Sequence, residues 1–262
     1  MTFFPVQAII EPEIFMRKIL ILLFTLSFFA FISCATKSKN EKNSIEDHVN
    51  IEELNNIKKQ DIKKLDYSEK KLIDATEYLE TNICYPVFSD KPLLNKYVEN
   101  SILNYYKSFS AASKIQWNQQ QEQAETSMPG SYSTNYSISS SKNYLTVLIE
   151  TWIYEAGAPH GNIIYNTFCY NKNTKVIEND IQTISGLTIR QISEKVRPLV
   201  KKEIMKKGSE FYDEEWINSG TEPNPGNYEH FLVYDNKIDF FFEPYTVAPY
   251  AAGTVEVSII IK

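Results

Sequence analysis

Residues 144–170 read YLTVLIETWIYEAGAPHGNIIYNTFCY. In its first half Leu145, Val147, Ile149 and Ile153 fall on one face of an extended chain. That period of two is the signature of a strand with one buried face. Gly157-Ala158-Pro159-His160-Gly161 then forms a tight return, with both glycines expected to supply positive φ. Ile163 to Tyr170 is the returning strand. A hairpin of this strength makes the fold sheet-built, and the rest of the chain has to supply its neighbours and its cover.

Upstream, Tyr132, Thr134, Tyr136 and Ile138 alternate with small polar residues between the Pro129-Gly130 turn signal and a turn at 140–143. Glu77 to Phe88 reads as an earlier strand. Asp90 is placed to cap a helix with Pro92 in its first turn, and Leu94, Val98, Ile102, Tyr105 and Phe109 give it an apolar stripe. Residues 115–130, rich in Gln and Glu, are read as lying beyond it. Downstream, residues 171–174 turn and residues 175–177 add a short strand. Thr188 with Gln191 forms a capping box ahead of the stripe Ile189, Ile192, Val196, Leu199, Val200 and Ile204. Pro198 is expected to kink this helix and Gly208 to end it. A short acidic helix is predicted around Trp216, with Asp213, Glu214 and Glu215 on its solvated face. Residues 231–234, 238–242 and 254–261 complete the strands. The fold class is α+β, an antiparallel sheet of hairpins packed with two main helices.

The N-terminal region is of another kind. Arg17-Lys18 precedes the apolar run ILILLFTLSFFAFI (19–32), followed by Ser33-Cys34 and the polar ATKSKNEKNS. This is the layout of a secretory leader, and a cysteine at the cut marks a lipoprotein. The run falls short of the roughly 20 apolar residues of a spanning helix. An uncleaved anchor and a buried helix are the alternative readings. Residues 16–33 are therefore read as a lipoprotein signal peptide, and Cys34 as the lipidated residue that ties the exported protein to a membrane. Residues 1–15 read as an extension ahead of the true initiator, Met16, and 34–75 as a polar tether. Residues 76–262 form the folded domain, in pieces of about 76–175 and 176–262.

A formal net charge of −6 argues against nucleic-acid binding, which needs a basic field. With Cys34 lipidated, Cys84 and Cys169 remain. Both fall in predicted strands, where an exported protein can bridge them or keep them as buried thiols. Three scattered histidines (His48, His160, His230) and no C-x-x-C give no metal centre, and no cofactor motif occurs.

Two stretches carry a resemblance: TWIYEAGAPHGNIIYNTF (151–168) and IDFFFEPYTVAPYAAGTVEVSI (238–259), with NICYPVFSD (82–90) ahead of a helix. Together they resemble the extracellular domain of RsiV, the lysozyme-sensing anti-sigma factor, and the N-terminal domain of the peptidoglycan deacetylase PdaC. The resemblance spans about residues 76–262 and implies an α+β domain outside the membrane. In the first of these proteins the domain binds lysozyme; in the second it accompanies a separate catalytic domain. It implies a binding module for a lysozyme-like protein or for peptidoglycan, and neither sigma-factor signalling nor deacetylation.

The candidate contact residues are Tyr245, Pro249, Tyr250 and His160. Pro244 and Pro249 interrupt ladder pairing, so this segment should bulge from the sheet and present tyrosine rings, with Gly253 returning the chain. The competing reading buries both rings to hold the bulge. His160 lies at the hairpin tip, five residues after Glu155. Its alternatives are a loop-bonding imidazole or, with Glu155, an acid/base group of a glycan-acting enzyme. A carboxylate pair among Glu150, Glu155 and Glu243 is the weaker catalytic reading.

Overall fold

The structure, a computed structural model, describes residues 65–122 and 128–261. The expected leader, Cys34 and the tether as far as residue 64 lie outside the described residues. Eight strands form two sheets. The first holds β1 (Tyr67–Ala75), β2 (Leu79–Phe88), β3 (Gly130–Ser140), β4 (Tyr144–Tyr154) and β5 (Asn162–Asn171), in that order. The second holds β6 (Phe231–Val233), β7 (Lys237–Phe242) and β8 (Val255–Ile260). All pairs are antiparallel except β2 with β3, which run parallel over Leu79–Asn82 and Gly130–Ser133. A parallel pair needs a crossover, and α1 (Pro92–Glu122) supplies it.

Each main helix covers one sheet. Leu94, Val98, Ile102 and Phe109 of α1 pack with Ile83, Tyr132, Val147 and Ile149 of the first sheet. Past a one-turn helix α2 (Ile181–Ser185), the capping box of Thr188 and Gln191 opens α3 (Ile189–Lys207). Ile192, Val196, Val200 and Ile204 of α3 meet Phe231, Phe240, Phe242 and Val257 of the second sheet. Asp213 caps α4 (Glu214–Gly220) by accepting the Trp216 N–H. The expected α+β class holds, with two sheets rather than one.

Three expectations need correction. The polar tether does not run to residue 75, because β1 already occupies Tyr67–Ala75. Its YSEKKLIDA sequence looks like a linker because it is an edge strand, exposed along most of its length, and charges on such an edge block further pairing. Helix α1 continues through the Gln-rich stretch to Glu122, and the Gln116 and Gln120 amides donate to the Ala156 carbonyl at 2.5 and 3.4 Å. Tyr105 of the expected stripe is 41% exposed.

Of the two readings of the cysteines, the structure has the unbridged thiols. Cys84 and Cys169 are free thiols on β2 and β5, with β3 and β4 between them. Three strand spacings of about 4.8 Å far exceed the ~7 Å Cα limit of a disulfide. The Cys84 thiol donates to the Thr134 carbonyl at 3.0 Å, and burial raises its pKa. Cys169 is fully buried, accepts from the Thr146 hydroxyl at 3.6 Å, and is pushed up to about 12 by burial. Alkylation of the native protein followed by peptide mapping should label Cys84 slowly and leave Cys169 untouched, with both labelled in denaturant without reductant. A bridged Cys84–Cys169 peptide in the digest is the contrary result.

Strand β4 is buried on both faces. Besides Leu145, Val147 and Ile149 beneath α1, Thr146 and Leu148 are buried on the other side. Leu148 packs with Tyr165 and with Leu232 of the second sheet.

Candidate functional site

The segment between β7 and β8 leaves the sheet at Glu243 and returns at Thr254. Pro244, Val247, Ala248 and Ala252 are buried and anchor it. The Thr246 N–H donates to the Glu243 carbonyl at 3.1 Å, and the Tyr245 N–H to the Ala248 carbonyl at 3.1 Å. Within this tight fold Tyr245 adopts φ +71°, unusual for a residue with a Cβ, and its side chain is 50% exposed. A strained, anchored backbone that directs an aromatic ring outward is a motif of recognition surfaces. Pro249 caps the 3₁₀ turn Tyr250–Ala252, which brings Tyr250 beside Tyr245, ring centroids 5.7 Å apart.

The β4–β5 hairpin tip reaches the same place. The His160 ring stacks on Tyr250 at 3.7 Å, with planes 19° apart. Its Nδ1 lies 2.9 Å from the Gly161 carbonyl and its Nε2 3.2 Å from the Tyr245 hydroxyl. A carbonyl only accepts, so Nδ1 carries the proton and Nε2 accepts from the phenol. Gly157 has φ +82° as expected, but Gly161 does not have positive φ. Gly161 serves by close approach instead, since a Cβ there would stand 2.2 Å from the Trp152 ring.

The structure thus joins Tyr245, Tyr250 and His160, with Pro249 holding the turn. It adds Trp216, which was not singled out as a contact residue. Its indole lies nearly parallel to Tyr245 (14°, centroids 6.5 Å apart), and its Nε1–H donates to the Tyr245 carbonyl at 2.8 Å. The one sequence signal for it was a large aromatic in a short acidic helix. The result is a row of four rings from three distant segments.

Residues 183–262 match a protein family of unknown function, DUF3298. The matched DUF3298 region holds Trp216, Tyr245 and Tyr250, whereas His160 lies outside it. Among solved structures, a DUF3298 family member from Bacteroides fragilis is 16% identical, covering 75% of this chain and 90% of its own at a TM-score of 0.52. A DUF3298 family protein from Pseudomonas aeruginosa is 15% identical, covering 75% of this chain and 92% of its own at a TM-score of 0.44. At such identities the first likeness speaks to fold alone. No curated protein matches the chain.

The catalytic candidates are arranged differently from an acid/base pair. Both ring nitrogens of His160 are engaged, and Glu155, which is exposed, is neither of its partners. Glu243 and Glu150 bracket Tyr165. Glu243 accepts its backbone N–H at 2.7 Å, and Glu150 its hydroxyl at 3.3 Å. His230 Nε2 approaches Glu243 to 3.5 Å. Burial lowers the His230 pKa and raises that of Glu243, the latter against the Tyr165 N–H that it accepts, so burial works against the charged form of each group. Among the described residues no group of three His, Cys, Asp or Glu side chains could hold a metal ion.

Proposed function

We propose that this protein is an exported lipoprotein, anchored through a lipid on Cys34, whose domain binds a cell-envelope protein of the lysozyme type without catalysis. The observation that carries the reading is the row His160–Tyr250–Tyr245–Trp216, with Tyr245 half exposed on a loop fixed from beneath. Rigid aromatic area of this kind supplies contact energy at little entropic cost. The sequence resemblance of 151–168 and 238–259 to a lysozyme-sensing domain supports the class of partner. The charge of −6 supports attraction of a basic one. The leader-like 16–33 and Cys34 support the location.

Peptidoglycan itself is the second reading. Stacked rings at an exposed edge also suit the apolar face of a sugar. Titration of the purified protein with lysozyme and, separately, with soluble peptidoglycan fragments decides between them. Lysozyme binding should weaken as salt rises, because part of the attraction is between net charges. The Pro249→Ala/Tyr250→Ala double variant should lose at least about 30-fold in affinity, the size of a hot-spot loss, while its melting temperature stays near the parent's. Unchanged affinity in that folded variant would remove the loop from the interface, and binding of neither probe would defeat the reading.

A further inference from the structure

A second site lies on the face of the first sheet that α1 covers. Along β4 the covered positions run Leu145, Val147, Ile149, and the next is Thr151. Its β5 partner is Ile164, and two residues on, on the same face, stands Asn166. Polar residues thus interrupt the apolar stripe ahead of Ile153. Here the sheet and α1 leave a cleft of about 460 Å³, within the ~300–1,000 Å³ range of small-molecule sites.

The cleft's chemistry is selective. Ser101, Asn104, Ser108 and the ring of Tyr105 border it from α1; Thr151 and Asn166 border it from the sheet. Tyr132 and Ile164 complete an apolar floor. No lining side chain is charged, although charged residues make up 23% of the chain. Tyr105 is 41% exposed, so its ring offers a face to a ligand. The Tyr132 hydroxyl is committed to the Ile102 carbonyl at 3.2 Å, and the Ser108 hydroxyl to the Asn104 carbonyl at 3.2 Å. The amides of Asn104 and Asn166 are left to present two donors and an acceptor each.

No charged side chain lines the cleft to pair with an anion or a cation, Glu155 and Glu243 acting on Tyr105 only from outside the lining, and a purely apolar ligand would strip water from two amides without replacing it. A neutral polyhydroxylated ring satisfies both halves of the site. Its hydroxyls pair with amides and side-chain hydroxyls, and its C–H face lies on an aromatic ring. We infer that this cleft is a binding subsite for a neutral carbohydrate, one or two pyranose units in extent. It shares no residue with the aromatic row and does not depend on that row's partner being a protein.

The test uses the purified protein and two probes, the β-1,4-linked trimers of N-acetylglucosamine and of glucose, followed by calorimetry and by saturation-transfer NMR. Saturable binding of at least one trimer is expected, with affinity unchanged between low and high salt because neither side is charged. Asn104→Ala and Asn166→Ala should each weaken it about tenfold, the loss of one or two hydrogen bonds. Tyr250→Ala should leave it intact, which separates this cleft from the aromatic loop. Circular dichroism and melting check that the variants are folded. Binding of neither trimer, or binding that both folded asparagine variants retain in full, would overturn the inference. Failure of lysozyme binding would leave it untouched.

Discussion

Replacing Asp239 by alanine should destabilise the protein by about 3–5 kcal/mol, the cost of breaking a buried ion pair from one side. Asp239 lies in β7, the central strand of the second sheet, and is fully buried. Its neighbours Ile238 and Phe240 turn toward α3, so the alternation of the strand points Asp239 to the other face. There Lys237 Nζ meets both carboxylate oxygens, at 2.6 and 2.8 Å, and the cross-strand Ser258 hydroxyl donates to Oδ1. The ammonium also sits 4.4 Å above the Tyr234 ring. Burial and the nearby carboxylate push the Tyr234 phenol upward, which keeps it protonated as a further donor to Asp239.

Alanine at 239 leaves Lys237, whose side chain is only 16% exposed, with its charge held against a ring and without the carboxylate that met it through both oxygens. The loss should appear in urea unfolding as a lower midpoint at unchanged slope. Lys237→Met should cost a comparable amount by stranding the carboxylate. The double variant Lys237→Met/Asp239→Leu should recover most of it, because both charges leave together. Strictly additive losses in the double variant would mean that the pair is not coupled, and the account above would be wrong.

That ion pair also marks where the sequence was hard to read. Ile238, Phe240 and Phe242 announce a strand by their spacing, and the core they form with α3 follows from the stripe at 192–204. The capping box of Thr188 and Gln191 was equally legible, since it is a local contact between residues three apart. What escaped was decided by distant segments. Strand β1 resembles a linker because only pairing with β2 makes it a strand, as the register Tyr67–Phe88 to Ala75–Glu80 records. The burial of Leu148 on the other face of β4 was not legible either, because nothing local reveals that Leu232 of β6 packs against it.

The site divides in the same way. Proline and tyrosine spacing exposed the bulge at 243–254 as a place where the ladder ends. Composition cannot show that a hairpin tip some 85 residues earlier closes on it, yet the His160–Tyr245 contact spans that separation. Trp216 joined the row through its indole N–H, and no one-dimensional pattern records that bond.

The second large effect is expected at Gly220, the last residue of α4. Alanine there should cost at least the ~1–3 kcal/mol of an overpacked core and should dismantle the aromatic row. Gly220 is buried against the loop. A Cβ at this position would stand 2.1 Å from the Thr246 carbonyl oxygen, 2.9 Å from the Thr246 carbonyl carbon and 2.8 Å from Val247 Cγ1. Two of these atoms are backbone, so no side-chain rotation relieves the clash. Either α4 or the loop must move, and Tyr245 is the residue next to Thr246. Because the Trp216 indole holds the Tyr245 carbonyl at 2.8 Å, separation of α4 from the loop breaks that bond and the stack above it. Near-UV circular dichroism should therefore change in the folded variant, together with a lowered melting temperature and, under the proposed function, weakened lysozyme binding. Gly226→Ala is the matched control, since its nearest neighbours would be an Asn224 oxygen at 3.6 Å and a Glu229 oxygen at 3.9 Å, both ordinary contacts. A Gly220→Ala protein with the parent's spectrum and melting point would show that helix and loop are not locked together. If they are locked, the rings are ordered before any partner arrives, and the entropy of ordering them is not charged to binding.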